Sequence, residues 1–107
     1  MQEFETLYAT IADRRDNPRE GSYTCYLFDQ GLDKILKKLG EECAETIIAS
    51  KNRNRREVIC ELSDLAFHAA VLMAQLDILP EDVAAELASR ARKQGNLKQF
   101  KVVDKNT

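Results

Sequence analysis

Gly40-Glu41-Glu42-Cys43-Ala44-Glu45, then a basic Lys51-Asn52-Arg53-Asn54-Arg55-Arg56, then Glu61-Leu62-Ser63-Asp64 form the stretch on which the fold turns. Two acidic pairs, each spaced three apart, lie on two helical patterns joined by a short polar link. A three-residue step turns a helix by about 300°, so the members of each pair project ~60° apart on one side. If the two helices fold against each other, Glu42, Glu45, Glu61 and Asp64 converge. Without a cation, four such carboxylates repel and resist burial. A hard divalent ion such as Mg²⁺ relieves that conflict, because it takes oxygen ligands and keeps waters that a phosphate can replace.

Outward from this stretch the chain reads as helix after helix. Leu32, Ile35, Leu36, Leu39, Cys43 and Ile47 form one apolar stripe, which predicts a helix from about Leu32 to Ser50. Glu42 and Glu45 border that stripe. Gly40, in mid-helix, costs about 1 kcal/mol against alanine, and predicts close approach of a neighbouring backbone or a ligand. The next helix runs from about Arg55 to Leu76. Its main apolar face is Val58, Ile59, Leu62, Leu65, Ala66, Ala69, Met73 and Leu76. A second face, Cys60, Phe67 and Val71, lies nearly opposite and is expected to meet another subunit. Glu61, Asp64 and His68 occupy the polar strip between the two.

Before the acidic stretch, Phe4, Leu7, Tyr8 and Ile11 predict a helix from about Glu3 to Arg15, stopped by Asp16-Asn17-Pro18. Arg19 to Cys25 reads as a loop. Tyr23 and Tyr26 flank Thr24 in a segment that fits either an extended or a helical form. After the acidic stretch, Asp77-Ile78-Leu79 is a turn, and Pro80, Glu81 and Asp82 suit the start of a last helix with Gly95 as its C-cap. The expected fold is all-α: a four-helix-type bundle over residues 1–95, completed by dimerisation, with a loose basic tail over 96–107.

Composition narrows the function. The chain has 107 residues and a formal net charge of −2, which gives no general electrostatic case for nucleic acid or anionic membranes. No apolar run is long enough to span a bilayer, and the acidic N-terminus is unlike a targeting peptide, so a cytoplasmic protein is expected. Cys25, Cys43 and Cys60 are odd in number and widely spaced, unlike a disulfide framework or a zinc ribbon. His68, the only histidine, does not make the Glu-x-x-His pair of di-iron bundles. It is expected to be a hydrogen-bonded core residue rather than a ligand.

Spacing alone leaves two partners open for the acidic groups. Lysines one helical turn away make structural ion pairs, or a metal binds. With a metal, Lys34, Lys37 and Lys38 alongside would suit a polyphosphate, neutralising charge that moves to the leaving group.

The motif Glu41-Glu42-x-x-Glu45 followed by Glu61-x-x-Asp64 resembles that of the all-α nucleoside triphosphate pyrophosphohydrolases. Within that superfamily, Gly21-Ser22-Tyr23-Thr24, Leu27-Phe28, Gly31-Leu32-Asp33-Lys34-Ile35-Leu36-Lys37-Lys38-Leu39-Gly40-Glu41-Glu42, Glu61-Leu62-Ser63-Asp64-Leu65 and His68 are similar to the phosphoribosyl-ATP pyrophosphohydrolase family. The resemblance does not reach Gln94 to Thr107. It implies Mg²⁺-assisted hydrolysis of phosphoribosyl-ATP between its α and β phosphates, the second step of histidine biosynthesis, by a homodimer or larger assembly. It implies that Glu42, Glu45, Glu61 and Asp64 hold metal, that Lys34 and Lys38 contact phosphate, and that Glu41 aligns a water or a second metal. Two alternatives accompany it: a house-cleaning nucleotide pyrophosphohydrolase of the same superfamily, and a non-catalytic helical dimerisation module.

Overall fold

A computed structural model describes residues 1–93, in five helices with no strand among them: α1 (Gln2–Asp16), α2 (Tyr23–Gln30), α3 (Leu32–Lys51), α4 (Arg55–Gln75) and α5 (Pro80–Arg92). Four of these match the helices expected from periodicity to within one or two residues. The fifth, α2, is new: it occupies the segment around Tyr23 and Tyr26. Ser22 starts it by accepting the Cys25 backbone N–H at 3.2 Å. Gly31 ends it at φ +91°, a conformation that favours glycine, and α3 begins at the next residue. Gly95 and the tail over 96–107 lie outside the described residues.

α3 and α4 form an antiparallel hairpin and make the most extensive contact in the fold. Their link is short because Arg53 takes a left-handed φ of 55° and Asn54 caps α4, its side chain accepting the Glu57 N–H at 3.1 Å. α1 lies against α4, and α2 bridges the two to α3. The core is Tyr8, Ile11, Leu27, Ile35, Ala70, Val71 and Ala74, with Phe4, Phe28 and Phe67 packed around it. The last turn of α4 is tied down from α1. Arg15 donates to the Ala74 carbonyl and to Asp77 at 3.1 Å, and the Tyr8 hydroxyl donates to the Ile78 carbonyl at 2.8 Å.

Two expectations are reversed. Phe67 and Val71, assigned to a partner subunit, instead meet the core of this chain, while Ile59, Leu62 and Leu76 on the face expected to be central are exposed. The cause is α5. It buries no residue among those described, so it does not cover that face of α4, and Val83 and Leu87 remain open. Gly40 is also not at a close approach to another backbone of this chain: a Cβ built there meets nothing within 4 Å. Among the described residues no single helix is long and apolar enough to cross a membrane.

Because Gly40 has open space and helical geometry, Gly40→Ala should raise thermal stability by roughly 0.5–1 kcal/mol, a few degrees in Tm. Differential scanning calorimetry of the ligand-free protein checks this. A lower Tm would mean that another chain does sit against this position.

Candidate active site

The hairpin brings acidic groups from two helices together. Glu42 and Glu45 from α3 and Glu61 from α4 each place one carboxylate oxygen within 4.8 Å of the others. They differ in environment. Glu42 is 7% exposed, Glu61 is half-buried and Glu45 faces solvent. Glu42 Oε2 is buried with no hydrogen-bond partner. Burial, followed by contact with the Glu45 carboxyl and repulsion from Glu45, Asp64 and Glu61, pushes the Glu42 carboxyl up to about 7. Glu61 is raised too, first by burial and then by the charges of Glu45 and Asp64.

Among the described residues none of these carboxylates is in a salt bridge. The lysine reading therefore fails for the buried cluster and holds only beside it. Lys38 Nζ pairs with Glu41 Oε1 at 3.0 Å, three residues along the same helix. That contact lowers the Glu41 carboxyl and raises the Lys38 ammonium. Glu41 is exposed and outside the carboxylate trio. Lys34 lies with Nζ 5.9 Å from the centre of the Tyr26 ring. Asp64 is at the edge: it is not within the 4.8 Å group, but its charge acts on both Glu42 and Glu61.

His68 is a buried, hydrogen-bonded residue, as its place on the strip implied. Its Nδ1 lies 2.8 Å from the Asp64 carbonyl, which only accepts, so the proton of the neutral ring is on Nδ1. Nε2 then accepts from the Tyr23 hydroxyl at 3.0 Å. The Tyr23–His68 pair holds α2 to α4 beside the acidic strip. The sequence marks Tyr23 within the family-like string but not its bond to His68, because the partner is 45 positions away. The three-residue spacing of Tyr23 and Tyr26 was the available signal.

The donor set suits a hard divalent cation. It is all oxygen, it comes from two helices, and one buried oxygen lacks any other partner. Residues 4–91 match the family model described as phosphoribosyl-ATP pyrophosphohydrolase. The chain belongs to the phosphoribosyl-ATP pyrophosphohydrolase family. It is 50% identical over 99 residues to a phosphoribosyl-ATP pyrophosphatase of Streptococcus thermophilus, covering 92% of this chain and 95% of the relative. It is 49% identical to that of Clostridium novyi, over 88% of this chain and 86% of the relative. Against the Pelotomaculum thermopropionicum protein the identity is 53%, over 82% and 90%. These similarities span α1 to α5, so the family assignment covers the acidic hairpin and the aromatic helix α2 together.

A carboxyl raised on folding stabilises the folded state at low pH, and that contribution disappears as pH rises through the folded value. For Glu42 the window runs from about 4.5 to about 7. In metal-free protein Glu42→Gln should therefore raise Tm at pH 8, by on the order of 5 °C, and much less at pH 5. Thermal melts in a chelator at the two pH values check this. Equal shifts at both would show that Glu42 bears no buried charge.

Proposed function

We propose that this chain hydrolyses phosphoribosyl-ATP between its α and β phosphates, giving phosphoribosyl-AMP and pyrophosphate, the second step of histidine biosynthesis, with Mg²⁺ in the cytoplasm. The observation that carries the mechanism is the buried, unpartnered Glu42 oxygen beside Glu45 and Glu61. Glu42, Glu45 and Glu61 would hold the ion, with Asp64 at the rim. A bound divalent cation supplies charge for phosphate oxygens and acidifies a coordinated water.

The remaining chemistry falls to side chains of this protein. Lys34 and Lys38 are both half-buried and one helical turn apart on α3, placed to neutralise the polyphosphate as charge moves onto the leaving pyrophosphate. Glu41 is held ionised by Lys38 and is adjacent in sequence to Glu42. We assign it to orienting the attacking water and accepting hydrogen bonds from it. Water contributes its oxygen to one phosphorus, the anhydride P–O bond breaks, and a proton is released. Tyr23 and His68 fix α2 against α4 at the edge of the strip.

The same reading includes a homodimer or larger assembly. Leu36 and Ile47 on α3, Ile59 and Leu62 on α4 and Leu87 on α5 are all exposed. These are many exposed apolar side chains for so short a chain, and we assign them to contact with a second copy.

With Mg²⁺ present, Glu42→Gln or Glu61→Gln should lower kcat for phosphoribosyl-ATP by about 10²-fold or more, while Glu41→Gln should lower kcat with little change in metal affinity. Turnover assays with free nucleoside triphosphates as controls check the substrate. Wild-type-like turnover in Glu42→Gln, or equal efficiency on ordinary triphosphates, would contradict the reading. By sedimentation, Leu62→Glu should shift the protein toward monomer.

A further inference from the structure

A cleft in the described structure lies away from the carboxylates. It has a volume of about 870 Å³ and sits where the end of α1, the loop over 17–22 and the start of α2 meet. Arg14, Arg15, Arg19, Ser22, Tyr23 and Tyr26 are among its walls. Glu20 and Asp29 line it as well, so the cleft is not uniformly basic. The arginines differ in how far they are engaged. Arg15 is committed to Ala74, Asp16 and Asp77. Arg14 has only its neighbour Asp13, at 3.2 Å, a partly exposed pair of small worth. Arg19 makes no ion pair among the described residues.

The backbones that carry Arg14 and Arg19 are clipped together by one thiol. Cys25 Sγ accepts the Arg19 N–H at 3.3 Å and donates to the Arg14 carbonyl at 3.4 Å. The thiol is lowered from its ordinary value, first by the Arg19 N–H and then by Ser22, with the two guanidinium charges acting in the same direction. The clip holds two arginines, one weakly paired and one without an ion pair among the described residues, beside one cavity.

An aromatic wall joins this cleft to the acidic hairpin. Tyr23 and Tyr26 stack with ring centres 6.1 Å apart and 23° between planes. The Tyr23 hydroxyl reaches His68 on the acidic strip of α4, and its phenol feels the charges of Lys38 and Glu42. Tyr26 lies under Lys34. The order across the surface is therefore carboxylates, lysines, two aromatic rings and two arginines.

That order matches a substrate with anions at both ends. Phosphoribosyl-ATP carries its triphosphate on one side of the purine and a ribosyl phosphomonoester on the other. Building on the function proposed above, we propose that Arg14 and Arg19 bind this distal phosphomonoester, with the Tyr23–Tyr26 wall against the purine, and that the cleft is what selects this substrate over ordinary nucleoside triphosphates. Guanidinium groups suit the role because they meet a phosphate with two parallel N–H donors. Tyrosine rings supply flat apolar surface for a base. A nucleoside triphosphate has no group to fill the arginine end and gains nothing from it.

The test uses the full chain with Mg²⁺, an Arg14→Ala/Arg19→Ala double variant, and ribose 5-phosphate as a probe of the cleft alone. In the double variant KM for phosphoribosyl-ATP should rise by about 100-fold, with kcat changed less than about threefold, because the lost contacts are remote from the scissile bond. Arg19→Lys, which keeps the charge, should recover part of the loss. Ribose 5-phosphate should slow alkylation of Cys25 in the wild type, read by peptide mass spectrometry, and should not do so in the double variant. Cys43 and Cys60 serve as internal controls. An unchanged KM, a fall in kcat as large as the rise in KM, or no protection of Cys25 would overturn the proposal. If the wild-type chain does not turn over phosphoribosyl-ATP at all, the proposed function fails, and Cys25 protection still decides whether the cleft takes a sugar phosphate.

Discussion

A carboxylate held out of water needs either a proton or a cation. Glu42 has neither a lysine nor an arginine against it, and one of its oxygens is buried without a partner. Its neighbours make matters worse, since Glu45 and Glu61 point their own oxygens at the same space. A fold gains nothing in stability from such an arrangement, because the desolvation and repulsion both oppose it. The arrangement makes sense as a site whose missing charge is supplied from outside, and the rest of the molecule can be understood as what holds the three groups in register.

The hairpin is the main device. A link of three residues, with Arg53 left-handed and Asn54 as a cap, leaves α3 and α4 little freedom to slide. α1 then anchors the far end of α4 through Arg15 and Tyr8. α2 closes the remaining side, and its Tyr23 hydroxyl meets the one histidine on the acidic strip. Few of these contacts are strong alone. Together they determine where the carboxylates stand. The exposed apolar residues of α3, α4 and α5 show that the described chain buries only part of its apolar surface by itself.

Much of this was legible in the sequence, for physical reasons that differ by element. α3 and α4 repeat apolar residues at helical spacing over four or more turns, which is a long enough signal to place their ends, and the shorter α1 repeat is bounded by Asp16-Asn17-Pro18. The Glu42–Glu45 and Glu61–Asp64 spacings were legible because a three-residue step dictates direction on a helix. α2 was not, because eight residues carry barely two turns and its end depends on the positive φ of Gly31. The inward face of α4 was not, because both of its faces are apolar and only where the other helices pack decides between them. Asp64 shows the limit of spacing: it sits on the right strip but outside the tight oxygen trio. The arginine cleft depends on a loop and a thiol clip that no periodicity encodes.

The central claim is that the acidic hairpin binds a divalent cation through a carboxyl that is protonated in the metal-free state. Isothermal titration of Mg²⁺ near neutral pH, in buffers of different ionisation enthalpy, measures this directly. With Glu42 near 7, binding should release a substantial fraction of a proton, so the observed heat should depend on the buffer, and that dependence should fade by pH 9. Heats that are identical in every buffer at neutral pH, or no binding at all, would contradict it.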